Sequence, residues 1–399
     1  MNSSLLQRIL RRKESLFQAD LEMREQEIAD TMTGARILVI GAAGSIGSAF
    51  VKEVVRWRPA GLRLIDPSEN NLVELVRDLR SSSAPVPEAF ATSAIAMGSV
   101  EFERFLASEQ PFDQVVNFAA LKHVRAERDP FTLMRMLHVN VLALDDLLAA
   151  LVIKQPKGFF SVSSDKAVQP ANLMGASKAL MEQVMWHWSD RVKAVTSRFA
   201  NVAFSDGSLL YGLQRRLEKR QPIAAPVDVK RYFISHAEAG QLCLLACGTG
   251  HNREIFIPRL TPREDLASFA EIAVMFLEEM GYSPLLFDHE EQARAFANQM
   301  SPACREWPCC FSVSDTTGEK DEEIFSAPEE MVHFDRFAHV GVIANPPGQD
   351  VEPVLNVLHA LRQLRTESSW ALRDIIPIIR GAVPGLAHQD RGRNLDGKM

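Results

Sequence analysis

The stretch ARILVIGAAGSIGSAFVKEVV, residues 35–55, decides the fold. Four apolar residues, Ile37 to Ile40, form a buried strand pattern that runs straight into GAAGSIG at 41–47 and then into a helical pattern. A strand, a glycine turn and a helix N-terminus in that order make a dinucleotide-binding fingerprint, because the turn brings backbone amides against a pyrophosphate. Gly41 permits the tight turn, Gly44 lets the backbone approach the phosphates, and Gly47 lets helix and strand pack closely. Ala43, Ser45 and Ile46 line the same turn. The spacing is GxxGxxG in place of GxGxxG.

Outward from this stretch, short apolar runs recur at 62–66, 94–97, 114–118, 159–163 and 194–199. Between them lie longer segments with apolar residues three and four apart, among them 69–80, 132–152 and 178–188. The alternation predicts an α/β fold of the Rossmann type, a doubly wound parallel sheet covered by helices on both faces. It weakens after about residue 205, where a smaller C-terminal α/β substrate lobe is expected. That lobe is given EIFIP (254–258) as a further strand and 265–281 as a helix ending at Gly281. Residues 283–330 read as irregular. The expected division is an N-terminal helix over 1–30, the dinucleotide-binding domain over 31–204, the substrate lobe over 205–345 with some return to the main domain, and a helical extension and tail over 346–399.

At 399 residues, with 46% hydrophobic and 24% charged residues, the chain has the composition of an ordinary globular enzyme. Its net charge of -7 argues against a nucleic-acid partner. Five cysteines, all after residue 240, do not form a disulfide framework, so a reducing, cytoplasmic setting is expected. Arg8, Arg11, Arg12, Lys13 and Glu14 interrupt any leader-like apolar run, and no membrane span of about 18 uninterrupted apolar residues is found. Leu5, Leu6, Ile9, Leu10, Leu16 and Phe17 predict an amphipathic helix packed on the body or on a second subunit. A homo-oligomer is expected, and no metal site.

Asp66 closes the second strand about 20 residues after the glycine turn, where a carboxylate binds the ribose hydroxyls of NAD, or where a turn needs a capping residue. Ser68 and Arg63 nearby would tolerate the 2'-phosphate of NADP, so the cofactor reads as NAD or NADP with NAD favoured. The run FFSVS leads to Ser164, Asp165 and Lys166 at a strand's carboxyl end, where reactive groups gather in parallel-sheet enzymes. Met174 and Lys178, four apart on one helical face, keep the YxxxK spacing with methionine in place of tyrosine. A thioether takes no proton, so another group must act as base. An adjacent acid and amine suit an elimination, one group removing a proton alpha to a carbonyl and the other protonating the departing hydroxyl, provided the lysine pKa is lowered. A solvated, capped turn is the plain alternative for Asp165 and Lys166.

GAAGSIGS (41–48), AALKHV (119–124), SSDKAVQPANLMGASK (163–178), SRFANVAFSDGSLL (197–210), KRYFISHAEAGQL (230–242) and SDTTGEKDEE (314–323) occur in this order. Together they resemble the soluble form of the polysaccharide-biosynthesis, CapD-like UDP-N-acetylglucosamine 4,6-dehydratases, which are extended short-chain dehydrogenases/reductases. The likeness covers roughly residues 30–330, and the ending GRNLDGKM resembles some members. It implies oxidation at C4 of a UDP-sugar, loss of water across C5 and C6, and reduction at C6. By the resemblance, Asp165 is the acid for the C6 hydroxyl, Lys166 the base at C5, Ser164 a contact near C4 and Lys178 a cofactor lysine. Met174 occurs in some members. Ala119, Ala120, Lys122 and His123 resemble the segment near nicotinamide and sugar, and Asn140 the asparagine that steadies the site. Asn201, Ser208 and Arg231 resemble the uridine diphosphate contacts, and Glu319 the uridine-ribose contact.

Three departures bear on the site. Ser99 stands where the family has an aspartate near adenine, Ala200 replaces a glycine, and Asp206 replaces a basic residue. A carboxylate 4 Å from a diphosphate is repelled by on the order of 1 kcal/mol or more, so either Asp206 points away or the substrate sits differently. The KHVRAERDP loop is one residue shorter than in many relatives, leaving Glu127 without a role. The competing readings are a UDP-sugar 4-epimerase or reductase, which depends on the phenol missing at Met174, and a non-catalytic nucleotide-sugar-binding protein.

Overall fold

A computed structural model describes residues 3–314, 323–346 and 351–387. In chain order the strands are β1 (Arg36–Ile40), β2 (Gly61–Ile65), β3 (Ala89–Ser93), β4 (Gln114–Asn117), β5 (Gly158–Val162), β6 (Ala194–Ser197), β7 (Asn201–Val202), β8 (Ile223–Pro226), β9 (Lys230–Ile234), β10 (Glu254–Pro258), β11 (Leu266–Ser268), β12 (Ser283–Leu286), β13 (Glu306–Ser312), β14 (Val332–His333) and β15 (Val340–Ala344). The described residues form one nine-stranded sheet in the order β14-β15-β10-β6-β5-β4-β1-β2-β3 and two three-stranded sheets, β11-β9-β7 and β12-β13-β8. Strands β3 to β10 of the large sheet pair in parallel, and β15 and β14 close it antiparallel. The chain winds outward in both directions from β1 and β4, so their carboxyl ends flank the switch point at which such sheets bind ligands. This is the Rossmann-type architecture that the alternating pattern predicts.

Both faces of the sheet are sealed by apolar cores, as a buried parallel sheet requires. On one side Leu38, Ile40, Val115 and Phe159 meet the helices Pro130–Lys154, Leu173–Trp188, Val351–Leu364 and Leu372–Ala382. On the other Ile37, Val39, Val116 and Phe160 meet Ser45–Val54 and His236–Thr249. A third core, with Phe276 and Trp307, belongs to the smaller sheets, and Leu5, Ile9 and Leu10 pack into it.

Several expectations are corrected. The third strand is 89–93, not 94–97: Ala89 to Ser93 pair residue by residue with Gly61 to Ile65, while Met97 is buried beyond the strand end. As an edge strand it carries few core residues, so the apolar run marks the buried turn that follows. EIFIP is not in the small lobe but pairs with β6 in the main sheet. The helix given to 265–281 is Phe269–Glu279, because Leu266–Ser268 pair with β9 and Ser268 caps the helix. The stretch read as irregular holds β12, the helix Glu290–Gln299 and β13, which pair as a parallel unit around Trp307. The N-terminal pattern is broken at Arg11, which has φ +55°, and continues as the helices Gln18–Met23 and Glu25–Met32. The break lets the Arg12 guanidinium reach the buried Glu238 at 2.7 Å.

Among the described residues one helix, Pro130–Lys154, is long and apolar enough to cross a membrane by length and composition, although its apolar residues do not form an uninterrupted run of 18. Just over half of its apolar 18-residue window, 56%, is buried inside the protein. Leu133, Leu137, Leu144 and Leu148 are fully buried in the core, and Asp145 accepts from the Trp188 indole at 2.7 Å.

Two packing features set the position of the site. His236–Thr249 crosses Ser45–Val54 backbone to backbone at Gly240, where a Cβ would lie 2.7 Å from the Ala49 carbonyl group. Glu127 lies buried at the N-terminus of Leu173–Trp188 and accepts the Met174 amide at 2.8 Å. Burial pushes its carboxyl up to about 7, against the lowering effect of the Met174 and Leu173 amides.

Gly240→Ala is expected to cost about 2 kcal/mol, because neither backbone can yield without moving a helix; urea unfolding curves measure it. Below about pH 4.5 the Glu127 carboxyl is protonated folded and unfolded. As pH rises to about 7 the unfolded chain gives up the proton first, so stability is lost. Glu127→Gln, which keeps an acceptor for the Met174 amide, should therefore gain on the wild type by up to about 3 kcal/mol between pH 5 and pH 8. Paired unfolding curves at the two pH values test this, and an unchanged difference would contradict it.

Candidate active site

β1 leads into Gly41 at φ +72°, where a Cβ would lie 2.5 Å from the Ala119 amide nitrogen. A Cβ on Gly47 would lie 2.1 Å from the Gly41 carbonyl oxygen. Both glycines are therefore fixed by close backbone approach across the switch point. Gly44 differs: its nearest neighbour in that direction is the Gly41 oxygen at 3.6 Å, an ordinary contact. No side chain caps the helix Ser45–Val54 at Gly44, so its first turn keeps unshared amides around Ser45 and Ile46, which suits a phosphate. The glycine turn thus fits a dinucleotide.

Asp66 is buried and accepts the Ala43 amide at 3.1 Å and the Ser68 amide at 2.8 Å, so it ties the glycine turn to the end of β2. Ser68 caps the next helix through the Asn71 amide, and Ser99 caps its own through Phe102. Arg63, expected near the 2'-position, is instead committed to Glu109 at 2.6 Å and stacks on Phe105. Asp206 does not point away from the phosphate turn. Its carboxylate accepts from Ser45 Oγ at 3.0 Å, and its amide donates back to the same hydroxyl. A carboxylate near a helix N-terminus is favourable, and this one is bonded to the Ser45 hydroxyl beside the phosphate turn. Ala200 is buried in the core below.

β5 delivers the acid and the amine. After Val162 the chain makes a short turn over Asp165–Ala167, whose start is capped by Ser164 Oγ accepting the Lys166 amide at 3.2 Å. Ser164 Oγ also donates to Asp165 Oδ1 at 2.8 Å, and Lys166 Nζ lies 3.0 Å from the same oxygen. Asp165 is buried, whereas the Lys166 side chain is 32% exposed and presents the open side of the pair. The turn can sit here only because residue 175 is glycine: a Cβ there would lie 2.4 Å from the Lys166 carbonyl oxygen.

Met174 and Lys178 follow on one face of Leu173–Trp188. Met174 is buried against Met136, with Leu121 and Val124 packed on it. Lys178 is buried and donates to the Val162 carbonyl at 2.9 Å; burial brings its ammonium down to about 8, opposed by Glu182. Asn140 sits in a π-helical turn, His138–Leu142, and makes three bonds of 2.9 Å, two with the Leu121 backbone and one to Ser177 Oγ. It links the loop of Ala119, Ala120 and Lys122 to the helix of Met174 and Lys178.

The smaller lobe brings a third set of groups. Asn201 Nδ2 donates to Glu323 at 2.6 Å, the Tyr232 amide donates to Glu323 at 2.8 Å, and Arg231 Nε lies 3.8 Å from it. Glu323 also stands 4.0 Å from Lys166 Nζ. The structure therefore gathers Asn201, Arg231 and Lys166 around one buried carboxylate. His123 packs on Gly207, and Ser208 caps the helix Leu209–Glu218 through the Tyr211 amide. Glu319 lies outside the described residues, as does the ending GRNLDGKM. Glu323 was missed because it lies in an acidic run, DEE, that reads as solvated surface. Gly175 was missed as a constraint because its partner is a carbonyl oxygen.

The electrostatics reverse one expectation. Burial alone would lower the Lys166 pKa, but Asp165 and Glu323 outweigh both it and Arg231 and hold the ammonium above the ordinary lysine value. Burial, with the charge of Asp165, pushes Glu323 up to about 7. The amine is thus a stabilised cation flanked by two carboxyl groups.

Residues 37–290 match the model of the family described as polysaccharide biosynthesis protein. An uncharacterized membrane protein of Methanocaldococcus jannaschii is 31% identical over 268 residues, 65% of this chain and 77% of that protein. The probable polysaccharide biosynthesis protein EpsC of Bacillus subtilis is 28% identical over 235 residues, 58% of this chain and only 39% of the longer relative. Among solved structures, Pen from Bacillus thuringiensis superposes with a TM-score of 0.64 at 19% identity, over 79% of this chain and 91% of that one, a likeness of fold. Taken with the glycine turn and the Asp165–Lys166 turn, the match over most of the chain makes this protein a member of the polysaccharide biosynthesis protein family, of the CapD-like, extended short-chain dehydrogenase/reductase kind.

Proposed function

We propose that the chain is a nucleotide-sugar 4,6-dehydratase acting on UDP-N-acetylglucosamine with a nicotinamide dinucleotide, in a reducing, cytoplasmic setting. The observation that carries the reading is the acid and amine at the end of β5, joined to Asn201 and Arg231 of the smaller lobe, with a thioether at residue 174 where a phenol is needed for 4-epimerisation. The three tyrosines, Tyr211, Tyr232 and Tyr282, all lie outside the helix of Lys178.

In this reading Gly41, Ala43, Gly44, Ser45, Ile46 and Gly47 hold the pyrophosphate, and Asp66 and Ser68 face the adenosine ribose. Ala119, Ala120, Lys122, Asn140 and Lys178 form the nicotinamide side. A carboxylate at 66 and an Arg63 already paired with Glu109 favour NAD over NADP. The bound dinucleotide supplies a hydride acceptor for C4 and a donor for C6. Ser164 holds the C4 oxygen. A ketone at C4 acidifies the C5 proton, which Lys166 removes as the neutral amine, while Asp165 gives its proton to the C6 hydroxyl, which leaves as water. Arg231 takes the diphosphate, its planar fork suited to two oxygens. Asn201, Ser208 and His123 complete the sugar-nucleotide contacts, and Met174 leaves the site without a second proton carrier.

Incubation with UDP-N-acetylglucosamine in deuterated water tests this. Dehydration puts solvent deuterium at C5 of a 4-keto-6-deoxy product seen by NMR; a 4-epimerase leaves C5 unlabelled, and a binding protein returns the sugar unchanged. Lys166→Ala should lower turnover by roughly a thousandfold while dinucleotide affinity stays the same, and near-normal turnover would remove Lys166 from the chemistry. Gly44→Ala, whose Cβ would meet only the Gly41 oxygen at an ordinary 3.6 Å, should leave the fold intact yet weaken dinucleotide binding about tenfold or more. Calorimetric titration with NAD reads that loss, and unchanged affinity would refute the assigned phosphate position.

A further inference from the structure

We propose that Asp206 limits the affinity for the dinucleotide: its carboxylate opposes the cofactor's pyrophosphate and not the diphosphate of the nucleotide sugar. The inference rests on the glycine turn taking a dinucleotide, and not on which sugar reaction follows. Two reciprocal bonds place the carboxylate. Ser45 Oγ donates to Asp206 Oδ2 at 3.0 Å, and the Asp206 amide donates back to Ser45 Oγ at 3.0 Å. Among the described residues the Asp206 side chain bonds to Ser45 alone, the first residue of the helix Ser45–Val54, whose opening turn no side chain caps. The loop is held in that pose from both sides. Phe204, at φ +60°, is buried in the core of the smaller lobe, and Gly207, at φ +71°, leaves no room for a Cβ against His123.

In the free protein this arrangement is favourable, since the start of a helix carries partial positive charge. A pyrophosphate drawn to the same turn is attracted by that charge and repelled by the carboxylate beside it. The titratable groups that face Asp206 are Lys122, on the loop after β4, and His236, at the start of His236–Thr249. Burial keeps the His236 ring below the ordinary histidine value, so at neutral pH Lys122 carries the charge. Asp206 cancels part of the field of that ammonium, and the part cancelled is lost to the cofactor. The substrate end is built differently. There the buried Glu323 carboxylate stands with Asn201, Arg231 and Lys166, and the Asp206 side chain bonds to none of them. The repulsion expected from the sequence therefore falls on the dinucleotide.

Asp206→Asn separates charge from geometry, because the amide side chain keeps an acceptor for Ser45 Oγ. The full chain, stripped of bound nucleotide, is titrated calorimetrically with NAD and separately with UDP, at low and at high salt. Asp206→Asn is expected to bind NAD about tenfold more tightly than the wild type at low salt, with the gain narrowing as salt approaches about 0.5 M, because the exposed carboxylate is screened. UDP affinity should change by less than about threefold. Asp206→Ser, which also removes the charge, should gain as much for NAD and replaces Asp206→Asn if that variant does not fold. Equal NAD affinity in a folded charge-removing variant, or a gain confined to UDP, overturns the proposal. Uptake of NAD by the variant alone would support it. Should neither wild type nor variant take up NAD, the dinucleotide reading of the glycine turn falls, a result distinct from equal binding by both.

Discussion

The site depends on how closely two stretches of main chain can approach. At the switch point the chain leaving β1 and the chain leaving β4 pass with less than a side chain's width between Gly41 and Ala119, and the helix after the turn leans on the Gly41 carbonyl at Gly47. The turn bearing Lys166 makes the same kind of contact with the start of Leu173–Trp188 at Gly175. These contacts carry little energy of their own. Their effect is geometric: they fix where the helix N-terminus, the carboxylate and the ammonium stand relative to one another, to a tolerance smaller than a methyl group.

Charge is then arranged on that frame. A buried carboxyl group and an ammonium would each be costly alone, and here each is present only with partners: Asp165 with Ser164 and Lys166, Glu323 with Asn201 and the Tyr232 amide, Lys178 with the Val162 carbonyl. Below them Arg198 bridges Glu182 on the core helix and Glu330 on the segment that follows Glu323. The segment that follows Glu323 is thereby fastened to the helix that carries Met174 and Lys178 through ionic contacts buried from solvent.

Much of this is legible in the residues. The glycine turn, the parallel sheet and the Asp165–Lys166 turn each depend on local pattern, and local pattern survives in the sequence. What could not be read depends on distant partners. Edge strand β3 has too few core residues to announce itself, and β12 and β13 draw their order from Trp307. The charge on Lys166 is held by its neighbour Asp165 and also by Glu323, more than 150 positions along the chain. The contact of Asp206 with Ser45 spans 161 positions, so an aspartate in a loop gives no sign of the hydroxyl it will meet. Arg63 looked like a phosphate ligand for the same reason, its true partner being Glu109.

The π-helical turn that seats Asn140 has a consequence for how this chain can vary. A helix advances about 100° per residue, so inserting or deleting a single residue between Pro130 and Asn140 would swing the amide group a quarter-turn or more away from Leu121 and Ser177. The loop ahead of Pro130 is pinned as well, because Glu127 accepts the Met174 amide and Asp129 caps the helix through the Thr132 amide. A change of length on either side of Pro130 would therefore move Asn140 or Glu127 off the partners that tie this loop to the helix of Met174 and Lys178.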